Sequence, residues 1–265
     1  MKIGTWNMDF WKRTCNDKNS KKYYRTEEYI HSYKINAQKL INDNNFDFLL
    51  LQETNPFFYF DEIINKKSNS KWPYEFEHLD KKIYYQNFSR LNWGNTIVVN
   101  KKYIYLKYNI SRCKNKYYSK YGQMFFDFND EYGNIITIIN IYNKCKDGNW
   151  GTYHETLENI IFEINDIVQS KNNLIILAGD FNCSEQSTNE FPNGDPKYIE
   201  LFKKIKKIGF INCTENIGGT VSYNDYQDDY IFIKNYKSNI INKLTKHDED
   251  SFNKFSDHYF IEINL

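Results

Sequence analysis

Short apolar runs of strand length, each closed by polar residues, recur along this chain at residues 2–6, 46–51, 96–99, 123–128, 135–142, 174–178, 230–233 and 259–263. Runs of this length rich in Ile, Leu, Val, Phe and Tyr read as strands. Several are apolar at consecutive positions, as strands buried on both faces are. Three stretches switch to helical spacing. Over residues 26–42, Ile30, Tyr33, Ala37, Leu40 and Ile41 share one face. After Thr152, with Glu155 completing a capping-box pattern, Leu157, Ile160, Ile161, Ile164, Ile167 and Val168 form a stripe. The third helix opens on Asp195-Pro196, turns Tyr198, Phe202, Ile205 and Ile208 inward, and stops at Gly209. Its Lys203, Lys204, Lys206 and Lys207 are left to solvent. Many strands with helices tens of residues apart predict a sheet-on-sheet body with helices covering its outer faces. In such bodies chemistry collects at strand ends and in loops.

The 265 residues, 40% of them hydrophobic, suffice for one substantial core. No repeat, Gly/Ser-rich or Pro-rich linker or composition shift divides them, so a single domain over 1–265 is expected. Tyr, Asn, Lys and Ile stand where Ala, Leu, Arg and Gly are usual, a bias of an AT-rich genome more than of function. With 35 Lys plus Arg against 34 Asp plus Glu, no overall field dictates a polyanionic partner, while a local basic cleft stays open. Cys15, Cys113, Cys145, Cys183 and Cys213 lie far apart without a CxxC pair, which argues against a disulfide framework or a zinc site and for reduced thiols. The N-terminus enters a strand directly, without the pattern of a secretory signal, and no segment reaches the roughly 20 apolar residues of a membrane span. A soluble, cytoplasmic protein is the expectation.

Chemistry is concentrated where apolar runs end. Leu177-Ala178 leads into Gly179-Asp180-Phe181-Asn182, and the Asp180 carboxylate and Asn182 amide, two residues apart, can project to one side. One accepts a proton while the other donates a hydrogen bond, although a plain strand-to-turn junction uses the same residues. Phe48–Leu51 is followed by Gln52-Glu53-Thr54, and a carboxylate at the end of a buried strand needs a partner, for which a cation is natural. The same holds for Asn7 and Asp9 after the first run. Oxygen donors of this kind suit magnesium or manganese better than zinc. Near the C-terminus, Ser256-Asp257-His258 precedes the last run and Asp228-Asp229 the one before it. A carboxylate on the second nitrogen of His258 would hold it in one tautomer or keep it protonated.

In order, the chain presents TWNMD, LLLQET, INIY, LAGDFN, DDYIFI and SDH, each at a strand boundary. This ordered set, spanning Trp6 to His258, resembles the endonuclease/exonuclease/phosphatase superfamily, the group of deoxyribonuclease I, apurinic/apyrimidinic endonucleases, a tyrosyl-DNA phosphodiesterase and nocturnin-like deadenylases. The resemblance implies an α/β (α+β) fold, a four-layer α/β/β/α sandwich of two packed mixed sheets flanked by helices. It implies a Mg2+ or Mn2+ site with Glu53 as principal ligand, Asn7 beside it, Asp9 as a second-rank candidate and Asp257 next to the metal. Asp180 then activates the attacking water and Asn182 holds the phosphate or that water. His258, oriented by Asp229, contacts the phosphoryl oxygens, and Tyr142 points its hydroxyl at the phosphate.

Substrate is less constrained than reaction class. The WxGDxNYR and PxWCDR blocks of inositol-polyphosphate phosphatases are missing, which disfavours that branch. TWNMD and Tyr142 lean toward the apurinic-endonuclease and tyrosyl-DNA phosphodiesterase side. The apurinic-endonuclease QETK reads Gln-Glu-Thr-Asn here and the Asn-Pro-Lys-Gly stretch is absent, so a general nuclease ranks above abasic-site repair. DYIF also fits the deadenylases, which keeps RNA open. The expected partner is nucleic acid, bound in part by Lys144, Lys146 and Trp150 after Tyr142, with no membrane and a monomeric chain. Trp93, Lys116 and Lys120 are weaker candidates of the same kind. A phosphatase or phosphodiesterase acting on a nucleotide, phospholipid or other small phosphoester is the alternative, as is a catalytically silent nucleic-acid-binding member.

Overall fold

The computed structural model describes residues 1–9, 27–43, 45–60, 74–87, 93–108, 123–145, 152–169, 171–185, 196–222, 225–236, 243–247 and 256–265. The first half holds β1 (Lys2–Asn7), α1 (Glu27–Asp43), β2 (Phe48–Thr54), α2 (Pro56–Phe60), β3 (Tyr74–His78), β4 (Lys81–Asn87), β5 (Gly94–Asn100), β6 (Ile104–Tyr108) and β7 (Gln123–Asn129). The second holds β8 (Ile135–Tyr142), α3 (Tyr153–Val168), β9 (Leu174–Asp180), α4 (Pro196–Lys207), β10 (Ile211–Asn212), β11 (Asp229–Lys234), β12 (Lys243–His247) and β13 (Phe260–Asn264).

Two mixed sheets result, one ordered β12-β13-β1-β2-β5-β4-β3 and the other β10-β11-β9-β8-β7-β6. Each has one parallel pair near its centre, β1 with β2 and β8 with β9, flanked by antiparallel neighbours. The sheets meet face to face over a core that includes Ile3, Phe48, Leu50 and Ile97 from one and Phe126, Ile138, Ile176 and Ile231 from the other. The outer face of the first sheet packs Leu49, Leu51 and Val98 against Tyr33, Ala37, Leu40 and Ile41 of α1. That of the second packs Ile139, Ile175 and Leu177 against Leu157, Ile161 and Ile164 of α3 and Phe202 and Ile205 of α4. Central strands are thus covered on both sides, which is why their sequences are apolar at consecutive positions. The arrangement is the expected four-layer sandwich. No helix among the described residues is long and apolar enough to cross a membrane.

Two local expectations need correcting or completing. Thr152 does not cap α3 with its side chain: its φ of −101° and ψ of 2° lie outside the extended region that aims a hydroxyl at the first turn, and its carbonyl instead accepts from Thr156 Oγ1 at 3.2 Å. Helix α4 begins on Pro196 as expected, and Asp195 lies outside the described residues. The strands β3, β4, β6, β10 and β12 and the five-residue α2 add to the expected elements.

Candidate active site

Parallel pairing brings the C-terminal ends of β1 and β2 together in one sheet and those of β8 and β9 in the other. In register, Asn7 lies across from Gln52, and Asp180 lies between Tyr142 on one side and Asp229 on the other. Gly179 makes that approach possible. Its φ is +142°, and a Cβ there would sit 1.9 Å from the Ile141 carbonyl oxygen. Only glycine fits between β8 and β9 at this level. Three of the non-glycine residues with positive φ stand here as well: Asp9 at 49°, Glu53 at 47° and Asn182 at 47°. Asp and Asn tolerate this region; a Glu held there marks a constrained backbone.

A short network joins the two sheets. The Asn7 amide donates from Nδ2 to Asp180 Oδ2 at 2.9 Å and to Glu53 Oε1 at 3.3 Å. Tyr142 Oη donates to the same Glu53 oxygen at 2.7 Å. Asp180 Oδ1 accepts the Asn182 backbone N–H at 2.7 Å, and Oδ2 accepts Asn182 Nδ2 at 2.8 Å. Asn182 is held further by donating to the Asn143 carbonyl at 3.0 Å. His258 Nδ1 lies 2.8 Å from Asp229 Oδ2, and its Nε2 faces Asp180 Oδ2 at 3.9 Å and Asp257 Oδ1 at 4.0 Å. Asp9 is buried beside Asn7, donating its backbone N–H to Asn7 Oδ1 at 2.9 Å. The structure therefore gathers Asn7, Glu53, Tyr142, Asp180, Asn182, Asp229 and His258 in one connected array, with Asp9 and Asp257 at its margins.

Burial shapes the charges. It raises the Asp180 carboxyl well above its ordinary range, an effect that Asp229 and Asp228 reinforce and that His258 and Asn7 oppose. Burial works against a charged His258, yet the surrounding Asp229, Asp180 and Asp257 carboxylates outweigh it and hold the imidazole well above its usual value. Burial, opposed by His258 and helped by Asp229 and Asp257, pushes Asp228 up to about 7. Burial and the Glu53 carboxylate raise the Tyr142 phenol, which keeps it a donor.

Two groups of ligand atoms fit a cation on paper. Asp180, Asp229 and His258 offer atoms within 4.8 Å of one another, and the carboxylates around that imidazole hold it well above its usual range. Glu53 is part-exposed and, among the described residues, forms no ion pair with Lys or Arg. Its carboxylate is a hard oxygen donor of the type magnesium and manganese take, while the neighbouring Asn7 turns Nδ2 toward it and Oδ1 toward the Asp9 N–H.

Several residues with a hand in this site have no motif of their own. Ser256 donates from Oγ to the Asn7 carbonyl at 2.6 Å and accepts the His258 N–H at 3.0 Å, tying the ends of β1 and the His258 segment together. Trp6 Nε1 donates to the His258 carbonyl at 2.9 Å. Thr220 Oγ1 accepts the N–H groups of Asp228 and Asp229 at 2.8 and 3.0 Å. Tyr153, at the start of α3, has its phenol raised by burial and by Cys145 and Asp180. Lys144 places its ammonium 4.8 Å from the Trp93 ring centre, and Trp93 stands edge-on to Tyr142 at 5.8 Å. Lys146, Trp150, Lys116 and Lys120 lie outside the described residues.

A family model described as endonuclease-reverse transcriptase matches residues 136–262, a span that includes Tyr142, Asp180, Asn182, Asp229 and His258. No curated protein matches the chain in sequence. Among solved structures, an AP endonuclease from Archaeoglobus fulgidus aligns with a TM-score of 0.67 at 14% identity, covering 100% of this chain and 99% of that one. D. rerio TDP2 complexed with single strand DNA product aligns at 0.63 and 14%, covering 100% and 99%. Truncated Caenorhabditis elegans TDP2 aligns at 0.60 and 16%, covering 99% and 96%. The chain has the deoxyribonuclease I-like fold, and the resemblance of its ordered motifs to the endonuclease/exonuclease/phosphatase superfamily stands.

Proposed function

We propose that this protein is a divalent-metal-dependent phosphodiesterase, a nuclease that hydrolyses DNA or RNA by in-line attack of a water activated by Asp180. The observation that carries the reading is the contact of one amide, Asn7 Nδ2, with both Glu53 and Asp180, the second of which faces the His258–Asp229 pair. Glu53 and Asn7, with Asp9 and Asp257 as further candidates, would hold Mg2+ or Mn2+, which when bound neutralises charge developing on the phosphoryl oxygens. Asp180, desolvated and basic, takes the proton of the water. The Asn182 amide, with Nδ2 given to Asp180 and to the Asn143 carbonyl, holds that water through its free oxygen, and would hold the phosphate only by releasing one of these bonds. His258, oriented by Asp229, donates to the non-bridging oxygens, and the Tyr142 hydroxyl, whose one proton goes to Glu53, fixes that carboxylate beside the phosphate.

Nucleic acid is favoured as substrate because the AP endonuclease and the DNA-bound TDP2 share the fold over the full chain. Lys144 adds a cation on the Trp93 ring that stands edge-on to Tyr142, and the reading extends this role to Lys146 and Trp150. The near-balance of 35 basic and 34 acidic residues keeps a small phosphoester as the second reading. The test is a panel of end-labelled single- and double-stranded DNA and RNA, nucleotides and phospholipid esters, in Mg2+ or EDTA. Expected is metal-dependent polymer cleavage, lost in Asp180→Asn and His258→Ala. Cleavage unchanged in both variants overturns the assignment; turnover of small esters alone moves it to the second reading.

A further inference from the structure

We propose that Asn140, on the sheet opposite Glu53, is a positioning residue that props the bulge of β2 by which Glu53 is turned into the site. Along β2 and β5, Leu51 pairs with Thr96 but Thr54 pairs with Gly94, so β2 carries one extra residue at Gln52-Glu53. A bulge re-aims a side chain and interrupts the ladder around it. Asn140 reaches across from β8 and donates from Nδ2 to the Leu51 carbonyl at 3.1 Å and the Thr96 carbonyl at 2.9 Å. Its Oδ1 accepts Gln52 Nε2 at 2.8 Å, and Gln52 Nε2 also lies 3.2 Å from Thr5 Oγ1 and 3.1 Å from the Leu50 carbonyl.

Asn140, Gln52, Thr5 and Thr96 are all 0% exposed, set in the layer that holds Leu50, Ile97 and Ile138. Buried amides cost free energy unless paired, and Asn140 pairs across the sheet interface with the Gln52 amide and the Leu51 carbonyl, the two residues that precede Glu53. Asn140 precedes Tyr142 by two residues, so both side chains leave β8 on the same face. Gln52 immediately precedes Glu53. One amide pair therefore sets both ends of the 2.7 Å Tyr142–Glu53 hydrogen bond.

The functional consequence rests on the reading that Glu53 holds the cation, so the test has a readout independent of it. Mn2+ affinity, the NMR titration of His258 and crystal structures are compared for the wild type, Glu53→Gln, Asn140→Leu and Asn140→Ser. In Asn140→Leu, Mn2+ binding should weaken by about tenfold or more, the loss typical of removing a group that orients a metal ligand. The His258 titration should not move, and the Tyr142–Glu53 contact should open beyond about 3.5 Å. Asn140→Ser, where a water can replace part of the amide, should lose less and serves if the Leu variant does not fold. Wild-type affinity with the contact intact overturns the proposal, as does an equal disturbance of the His258 titration. If the wild type and Glu53→Gln bind Mn2+ alike, the cation reading fails, and the Tyr142–Glu53 contact in the variant alone decides the prop.

Discussion

At the end of β2, Glu53 is part-exposed and receives two neutral donors, Tyr142 and Asn7. At the end of β9, Asp180 is fully buried and faces His258, whose ring is bound to Asp229 at 2.8 Å. Both carboxylates close a parallel strand pair, and one amide touches both. They differ in where the positive charge comes from. The Asp180 side faces an imidazole that its carboxylate neighbours hold well above the usual range, whereas Glu53 forms no ion pair with Lys or Arg among the described residues. On the proposed reading, a site so divided holds a metal at one half and handles protons at the other, without the two positive charges competing for one set of oxygens.

Removing the proposed base should break the comparison most severely. Asp180→Asn keeps the shape and the Asn182 contacts but cannot accept a proton, and single-turnover cleavage at saturating Mg2+ is expected to fall roughly 10²–10⁴-fold. Glu53→Gln should instead be partly restored by raising the metal concentration; equal insensitivity of both variants to metal would erase the distinction.

Asp229→Asn sharpens it from the side of stability. The substitution leaves a buried imidazolium with its closest counter-charge gone, and breaking a buried pair in this way costs about 3–5 kcal/mol. Urea unfolding measures it, with Glu53→Gln, at a part-exposed position, expected to cost much less.

A smaller effect lies in the pH dependence. His258 is raised above its ordinary 6.5 in the folded protein, so the stability it contributes is fully present below that value and is lost as pH rises through the folded one. The raised Asp180 carboxyl changes stability in the same direction, its contribution declining as pH climbs above 3.8. The urea midpoint of the wild type relative to His258→Gln should therefore shrink on alkalinisation. A gap that widens would place the neutral imidazole in the folded state.

What the chain discloses before folding follows burial. The eight apolar runs correspond to β1, β2, β5, β7, β8, β9, β11 and β13, the strands that carry most of the core. β3 and β12 mix Glu75, Glu77, Lys243 and Lys246 into part-exposed edge positions, where a strand needs no continuous apolar signal. The Asn7, Glu53, Asp180 and His258 positions stood out because polar residues at the ends of buried strands are conspicuous. Ser256, Thr220 and Asn140 did not, since their partners lie across the interface or on distant segments: Ser256 bonds a carbonyl 249 residues away. The Thr152 pattern misled because a capping box also needs a backbone conformation that spacing alone does not fix.

The division of labour is tested most directly by Mn2+ binding to the purified protein, its Glu53→Gln variant and its His258→Ala variant, followed by paramagnetic resonance. Binding weakened by about tenfold or more in Glu53→Gln and retained in His258→Ala is the predicted result. Binding retained in Glu53→Gln and lost in His258→Ala would contradict it, moving the ion into the Asp180, Asp229 and His258 cluster.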